Sequence, residues 1–199
     1  MAEDRESKID DSLVRRMAEG DEEALRELIV RHEDRVYGTV ARMIGGAGPD
    51  AEDLAQQIFL RIWKAAPKYR AEAKFTTWLM TVTRNLVFTF CEARARRLEV
   101  SEEIVDEEAE ETIQRKESVA ARTPREDLSG KELIEAVEEA CAQLPMKQRL
   151  VVHLREHEDM DFSEIGEILG ISELGAKSLM FRARENLKIK LSAFLTEPS

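Results

Sequence analysis

A short run near the end of the chain has the spacing of a metal-dependent hydrolase. His153, Glu156 and His157 fit the pattern HxxEH, which on a helix would place two imidazoles on one face beside a carboxylate. Only a short segment follows, and a different pattern explains it, so the motif lacks the structural context that catalysis requires. We therefore expect no enzymatic activity, no catalytic residue and no cofactor. A regulatory metal site at the two histidines is a minority alternative.

Residues 162–187 instead have the features of a DNA-reading element. Apolar residues at helical spacing stop at Gly170, which suits the left-handed residue that ends a helix. Ser172 can accept a backbone N–H bond and start a second helix, which carries basic side chains such as Lys177 and Arg182. The segment therefore predicts a helix-turn-helix whose second helix enters the major groove of DNA.

The charge of the chain is unusual for a free DNA-binding protein. The formal net charge is −11 at pH 7, whereas affinity for duplex DNA depends largely on lysine and arginine. The acidic excess is concentrated, because residues 99–111 contain eight acidic side chains and no basic one. This distribution favours weak DNA binding by the chain alone and stronger binding within a larger complex.

Composition favours a cytoplasmic protein that does not insert into a membrane. The 199 residues contain no apolar run near the roughly 20 residues that span a bilayer, and residues 1–11 lack the apolar core of a signal peptide. Cys91 and Cys141 are far apart and form no CxxC pair, so neither a disulfide framework nor a zinc knuckle is indicated.

Helical periodicity extends over almost the whole chain, and no period-two strand pattern is convincing. We expect Asp21 to cap the second helix, Asp50 to cap the third, Pro67 to end the third, and His32 to lie at the surface or its boundary. Predicted helices cover about residues 12–19, 21–43, 50–66 and 76–97, followed in the last third by helices from 129 to 144 and 147 to 155 and the helix-turn-helix.

A change of composition divides the chain in two. Residues 98–128 are acid-rich and poor in aromatics, which is typical of a linker, although a helical fragment at 107–117 is an option. The predicted fold is all-α, with two small helical domains joined by this acidic linker. The first domain covers residues 1–97, and the second, which contains the helix-turn-helix, covers 129–199.

Three motifs occur in order at the spacing of one protein family. They are DAEDLAQQIFLRIW at 50–63, FTTWLMTVTRNLV at 75–87, and the segments LPMKQRLVVHLRE, FSEIGEILGIS and AKSLMFRAR within 144–184. Together they resemble an extracytoplasmic-function, or group IV, bacterial sigma factor, which keeps only the region-two and region-four domains. The resemblance implies an alternative sigma factor that binds core RNA polymerase and directs promoter recognition and transcription initiation. The alternative, a free-standing helix-turn-helix transcriptional regulator, leaves the first two motifs unexplained.

The third predicted helix has two faces of different character. Leu54, Ile58 and Ile62 follow core spacing, whereas the opposite face mixes apolar and polar side chains, as partner surfaces often do. The resemblance implies that this helix docks on the β′ clamp helices of the polymerase, whose β flap is the other expected contact. The implied polymerase-binding residues are Asp53, Gln56, Gln57, Leu60 and Trp63.

Aromatic and basic residues alternate before and within the fourth predicted helix, a pattern that suits single-stranded DNA. Phe75 and Trp78 fit the core register better than a stacking role, while Asn85 carries an amide that can read a base edge. The resemblance implies capture of a flipped-out base of the minus-ten promoter element. The implied residues are Tyr69, Arg70, Lys74 and Asn85.

The second helix of the helix-turn-helix is expected to read the minus-thirty-five element. Lysine and arginine suit guanine edges or phosphates, serine suits either, and phenylalanine can touch a thymine methyl group. Leu179 replaces an arginine that is usual in the family. The implied contact residues are Lys177, Ser178, Phe181 and Arg182.

Two further expectations concern regulation. An anti-sigma factor is an expected partner by analogy, because a constitutively free alternative sigma factor would compete for polymerase. The acidic residues 107–111 are either a solvated linker or a polyanion that mimics nucleic acid inside the polymerase.

Overall fold

A computed structural model describes residues 2–105 and 130–195, and it is helical in both ranges, with no strand among the described residues. This confirms the predicted all-α fold. The helices are α1 (Ala2–Ala18), α2 (Glu22–Ile44), α3 (Pro49–Ala65), a 3-10 turn (Ala66–Lys68), α4 (Phe75–Val105), α5 (Gly130–Ala142), α6 (Met146–Glu156), α7 (Phe162–Leu169) and α8 (Glu173–Leu195).

Helix ends in the first unit follow local signals in the sequence. The carboxylate of Asp21 accepts hydrogen bonds from the backbone of Glu23 and Ala24 and so caps α2, which ends at the left-handed Gly45. The prediction that Asp50 caps α3 was wrong. Proline, whose fixed φ suits the first helical position, starts α3 at Pro49, and Asp50 lies in the first turn.

Two helices are longer than predicted. Helix α1 begins at Ala2 rather than near residue 12, and α4 continues eight residues beyond Arg97 to Val105. Neither extension contains glycine or proline, so nothing in the backbone chemistry stops the helix. The predicted fragment at 107–117 and the acidic residues 107–111 lie outside the described residues.

The first unit packs α2 against α1, α3 and α4. Side chains from all four helices form its core, and the prediction that His32 lies near the surface was wrong, because its side chain is buried there beside Asp10. Core residues include Val14, Leu28, Val36, Ile58, Ile62, Phe75 and Leu79.

The second unit contains the predicted helix-turn-helix. Asp161 and Glu164 form a capping box at the start of α7, which ends at Gly170 with φ of 67°. Ser172 Oγ then accepts a hydrogen bond from the backbone of Gly175 (3.1 Å), as the sequence predicted. Gly166 allows the close turn, since a Cβ there would lie 2.8 Å from the carbonyl oxygen of Ile171.

Candidate promoter and polymerase interfaces

A groove of about 500 Å3 lies between α2 and α3. Phe59 is buried at its wall, and Leu60 is 53% exposed despite its apolar side chain. Acidic residues at the rim give the groove a negative border around an apolar floor. The lining residues are Leu25, Ile29, Glu33, Asp34, Tyr37, Glu52, Ala55, Gln56, Phe59 and Leu60.

The sequence-predicted polymerase contacts lie on and beside this groove. Gln56 and Leu60 line it, and Asp53 and Gln57 are exposed at neighbouring positions of the same helix face. Trp63 is half-buried and packs against the core. Four of the five predicted residues therefore present side chains to solvent along one face of α3.

The aromatic residues that precede and begin α4 form one packed cluster. Phe75 is buried, as its register predicted, and its ring centroid lies 5.8 Å from Trp78 and 6.3 Å from Tyr69. Tyr69 is half-buried, with its ring 4.7 Å from Trp78 and its hydroxyl donating to Asp11 Oδ1 at 2.7 Å. Burial and the Asp11 carboxylate raise the pKa of Tyr69, so its hydroxyl stays a donor.

The remaining predicted minus-ten residues are accessible. Arg70 is exposed and donates to the carbonyl of Tyr69, while Asn85 is exposed on α4, away from the buried Leu86 and Val87. Lys74 is also exposed. The structure thus exposes two basic side chains in the segment that carries the aromatic cluster, and an amide further along α4.

Asp10, a buried acidic residue that the sequence did not single out, lies beside His32, whose ring packs on Phe75 of the aromatic cluster. Asp10 is 2% exposed; Arg31 Nε donates to it at 2.8 Å, and His32 Nε2 lies 3.1 Å away. Burial raises the pKa of Asp10, but the combined effect of His32 and Arg31 lowers it by more. The pKa of Asp10 is therefore below its usual value. Helical spacing could have predicted the burial of Asp10, because Asp10, Leu13 and Val14 share one face of α1.

Helix α8 presents the four predicted minus-thirty-five residues to solvent, with Phe181 66% exposed despite its aromatic ring. Lys177 Nζ lies 2.6 Å from Glu173, and Arg182 donates to the backbone of Ser178. Leu179, by contrast, is half-buried against the core, so packing explains the leucine found there.

The two units contact each other through α4 and α7. Arg84 Nε donates to the carbonyl of Ile168 at 3.0 Å, and Lys74 Nζ lies 3.0 Å from Glu164 Oε1. A carboxylate of the second unit thus faces a lysine that was predicted to bind DNA.

The first histidine of the HxxEH motif forms a second contact between the units, from α6 to α2. His153 is 3% exposed, and its Nε2 lies 2.8 Å from Thr39 Oγ1 on α2. Because the Thr39 hydroxyl donates to the carbonyl of Arg35, it accepts from Nε2–H, and Nδ1 is buried without a partner. Burial, followed by Arg42 and His157, lowers the pKa of His153 to about 3.

Within the described ranges, no group of three or more His, Cys, Asp or Glu side chains is positioned to hold a metal ion. Cys91 and Cys141 are half-buried free thiols, and burial raises the pKa of both. None of the helices in those ranges combines the length and apolarity needed to cross a bilayer.

The helical bundle with a groove and an aromatic-basic surface, combined with a helix-turn-helix unit, defines a two-part DNA-binding protein. Two family models match the chain: Sigma-70 region 2 over residues 28–97 and Sigma-70 region 4 over residues 134–187. The ECF RNA polymerase sigma-E factor of Haemophilus influenzae is 28% identical, covering 94% of this chain and 97% of that protein. The RNA polymerase sigma-H factor of Pseudomonas aeruginosa is also 28% identical, covering 94% and 96%.

Solved structures share the fold. CnrH in complex with the cytosolic domain of CnrY has a TM-score of 0.64 and 22% identity, covering 93% of this chain and 98% of that one. The sigma factor RpoE in complex with the anti-sigma factor NepR, from Bartonella quintana, has a TM-score of 0.61 and 20% identity, covering 84% and 96%. The chain belongs to the extracytoplasmic-function sigma factors of RNA polymerase, which are non-enzymatic initiation factors.

Proposed function

We propose that this chain acts in the cytoplasm as a group IV sigma factor with a divided task. Residues 1–97 bind polymerase and the minus-ten element, residues 129–199 bind the minus-thirty-five element, and residues 98–128 link them. The observation that carries this proposal is the presence, in one chain, of the α2–α3 groove and an exposed recognition-helix face. The experiment that tests it is initiation by core polymerase with and without this chain.

The groove suits an amphipathic helix. Its apolar floor can accept apolar side chains, while Glu33, Asp34 and Glu52 at the rim can pair with basic groups. The β′ clamp helices are the proposed occupant, and the β flap is proposed to contact the second unit. An anti-sigma factor is a further proposed partner, supported by the similar fold of RpoE in its complex with NepR.

For the minus-ten element we propose strand capture. Asn85 can pair with a base edge, and Arg70 and Lys74 can neutralise phosphates. Tyr69, already packed on Trp78, borders the place where an extruded base would sit. Extrusion takes a few kcal/mol, which these contacts would offset.

Lys177→Ala and Arg182→Ala should each weaken initiation at a promoter that depends on its minus-thirty-five element. Loss of one base or phosphate contact corresponds to about 1–3 kcal/mol, or roughly 5- to 150-fold. The measurement is initiation rate on promoters with intact and scrambled minus-thirty-five elements. Lys188→Ala, which removes an exposed charge further along α8, is the matched control. If all three variants behave alike, α8 does not read DNA as proposed.

The arrangement of the two units has to change for both elements to be read. The elements lie about 25 base pairs apart, or about 85 Å at 3.4 Å per base pair. Ile168 touches Arg84, the neighbour of Asn85 on α4, and Lys177 is only nine positions further along the chain, a length that spans at most about 32 Å. We infer that the units separate on the promoter, which also releases Lys74 from Glu164.

Acidification should favour separation. The pKa of His153 is about 3 in the packed arrangement, mainly because of burial, and is expected near 6.5 once separation of the units exposes the imidazole to water. The packed form therefore binds fewer protons, and each pH unit below 6.5 should favour the separated form by up to about tenfold. The charged and titratable groups facing His153 are Arg42, His157 and Glu158, and Glu158 is in turn paired with Arg35.

The radius of gyration by small-angle X-ray scattering at pH 7.5 and 5.5 checks this expectation. The wild-type protein should expand at pH 5.5, and His153→Gln, which cannot titrate, should show a much smaller change. Equal expansion of both proteins would exclude His153 as the source.

A further inference from the structure

We propose that Asp11 is a positioning residue for minus-ten recognition, holding Tyr69 from α1 and so setting the conformation of the loop at 69–74. The inference rests on the proposed role of that loop. Asp11 lies outside the part of the chain that matches Sigma-70 region 2, which begins at residue 28.

The hydrogen bond from Tyr69 Oη to Asp11 Oδ1 joins residues 58 positions apart. A hydrogen bond from a hydroxyl to a carboxylate is shorter and stronger than one between two neutral groups. The 2.7 Å distance from Tyr69 Oη to Asp11 Oδ1 is within the range of such charge-assisted bonds. Tyr69 is the residue at which the 3-10 turn ends and the loop begins, with its N–H donating to Ala66. Fixing its side chain therefore fixes the direction in which the loop leaves the bundle.

Helix α1 is a firm support for this bond. Asp10, next to Asp11, is buried and paired with Arg31 and His32 on α2, while Leu13 and Val14 are buried in the core. These contacts set both the rotation and the register of α1. The Asp11 carboxylate consequently has little freedom to follow a moving loop.

The ring of Tyr69 is held separately, by packing in the aromatic cluster. His32 lies 5.1 Å from Phe75, and Phe75 packs on Tyr69 and Trp78. The ring of Tyr69 is therefore held by packing and its hydroxyl by Asp11, so its orientation is determined at two points. The hydrogen bond from Glu72 N–H to the Arg70 carbonyl is local to the loop and does not anchor the loop to the bundle.

The Asp11→Ala variant should lower initiation on a duplex promoter about tenfold, as expected for loss of a hydrogen bond to a charged group. Its discrimination between the preferred and substituted minus-ten base should fall by a similar factor. Asp11→Asn keeps an acceptor oxygen and should restore most of both quantities. Affinity for core polymerase and dependence on the minus-thirty-five element should not change.

Tyr69→Phe keeps the ring and removes the hydroxyl, so it should reproduce Asp11→Ala, and the double variant should be no worse than either. Glu6→Ala, which removes an exposed carboxylate from the same helix, is the control. Unchanged base discrimination in Asp11→Ala and Tyr69→Phe, or fully additive effects, would overturn the inference. If wild-type protein with polymerase shows no dependence on a minus-ten base, the proposed function itself fails.

Discussion

Leu60→Asp should weaken binding to core RNA polymerase by about thirtyfold or more. Leu60 is 53% exposed at the α2–α3 groove, and packing of the fold does not explain an apolar side chain at such an exposed position. Central apolar contacts of an interface often contribute 2 kcal/mol or more, which corresponds to that factor. The new carboxylate would also join the acidic rim residues Glu33, Asp34 and Glu52 and would be desolvated on docking.

The matched control is Val30→Asp, which places the same charge at a 73% exposed apolar residue of α2 that does not line the groove. Binding titrations with fluorescently labelled polymerase measure both variants, and melting temperatures check that each is folded. Equal affinity of Leu60→Asp and wild type would remove the groove from the polymerase interface.

Asn85→Ala should reduce initiation on a duplex promoter by roughly 5- to 150-fold, the range for one bidentate base contact. Because Asn85 is exposed and its side chain does not enter the core, the change should leave the melting temperature nearly unaltered. The variant should also lose its preference at one minus-ten position. Initiation rates on templates carrying each base there measure that preference.

A template mismatched at that position provides a second test. Extrusion of an unpaired base needs less free energy, so Asn85→Ala should recover part of its rate on this template while its base preference stays lost. Thr89→Ala, one turn along the exposed face of α4, is the control. If Asn85→Ala keeps the wild-type base preference, another residue reads the base.

Local signals predicted most of the fold. Asp21 and Gly45 bound α2, and Gly170 and Ser172 form the turn of the helix-turn-helix, because caps and left-handed glycines act within one helical turn. The solvent faces of α3 and α8 were likewise predictable from helical spacing, since their buried and exposed positions alternate at that period.

Contacts between distant residues were not predictable in this way. The buried His32 lies 3.1 Å from Asp10, which is 22 residues earlier in a part of α1 that was not expected to be helical. Leu179 stands where an arginine is usual in the family, and its side chain packs on the core, a contact that helical spacing alone did not reveal. The bond between Tyr69 and Asp11 depends on where the bundle brings α1, which periodicity within either segment does not encode.

The most direct test of the sigma-factor account is transcription from a promoter library, with start sites mapped for core polymerase alone, for the chain alone and for the two together. The account predicts specific starts only in the mixture, preceded by two shared elements at a fixed spacing. The preference within these elements should change in Asn85→Ala at minus ten and in Arg182→Ala at minus thirty-five. Specific starts that do not need the chain, or operator binding without polymerase and no initiation with it, would contradict the account.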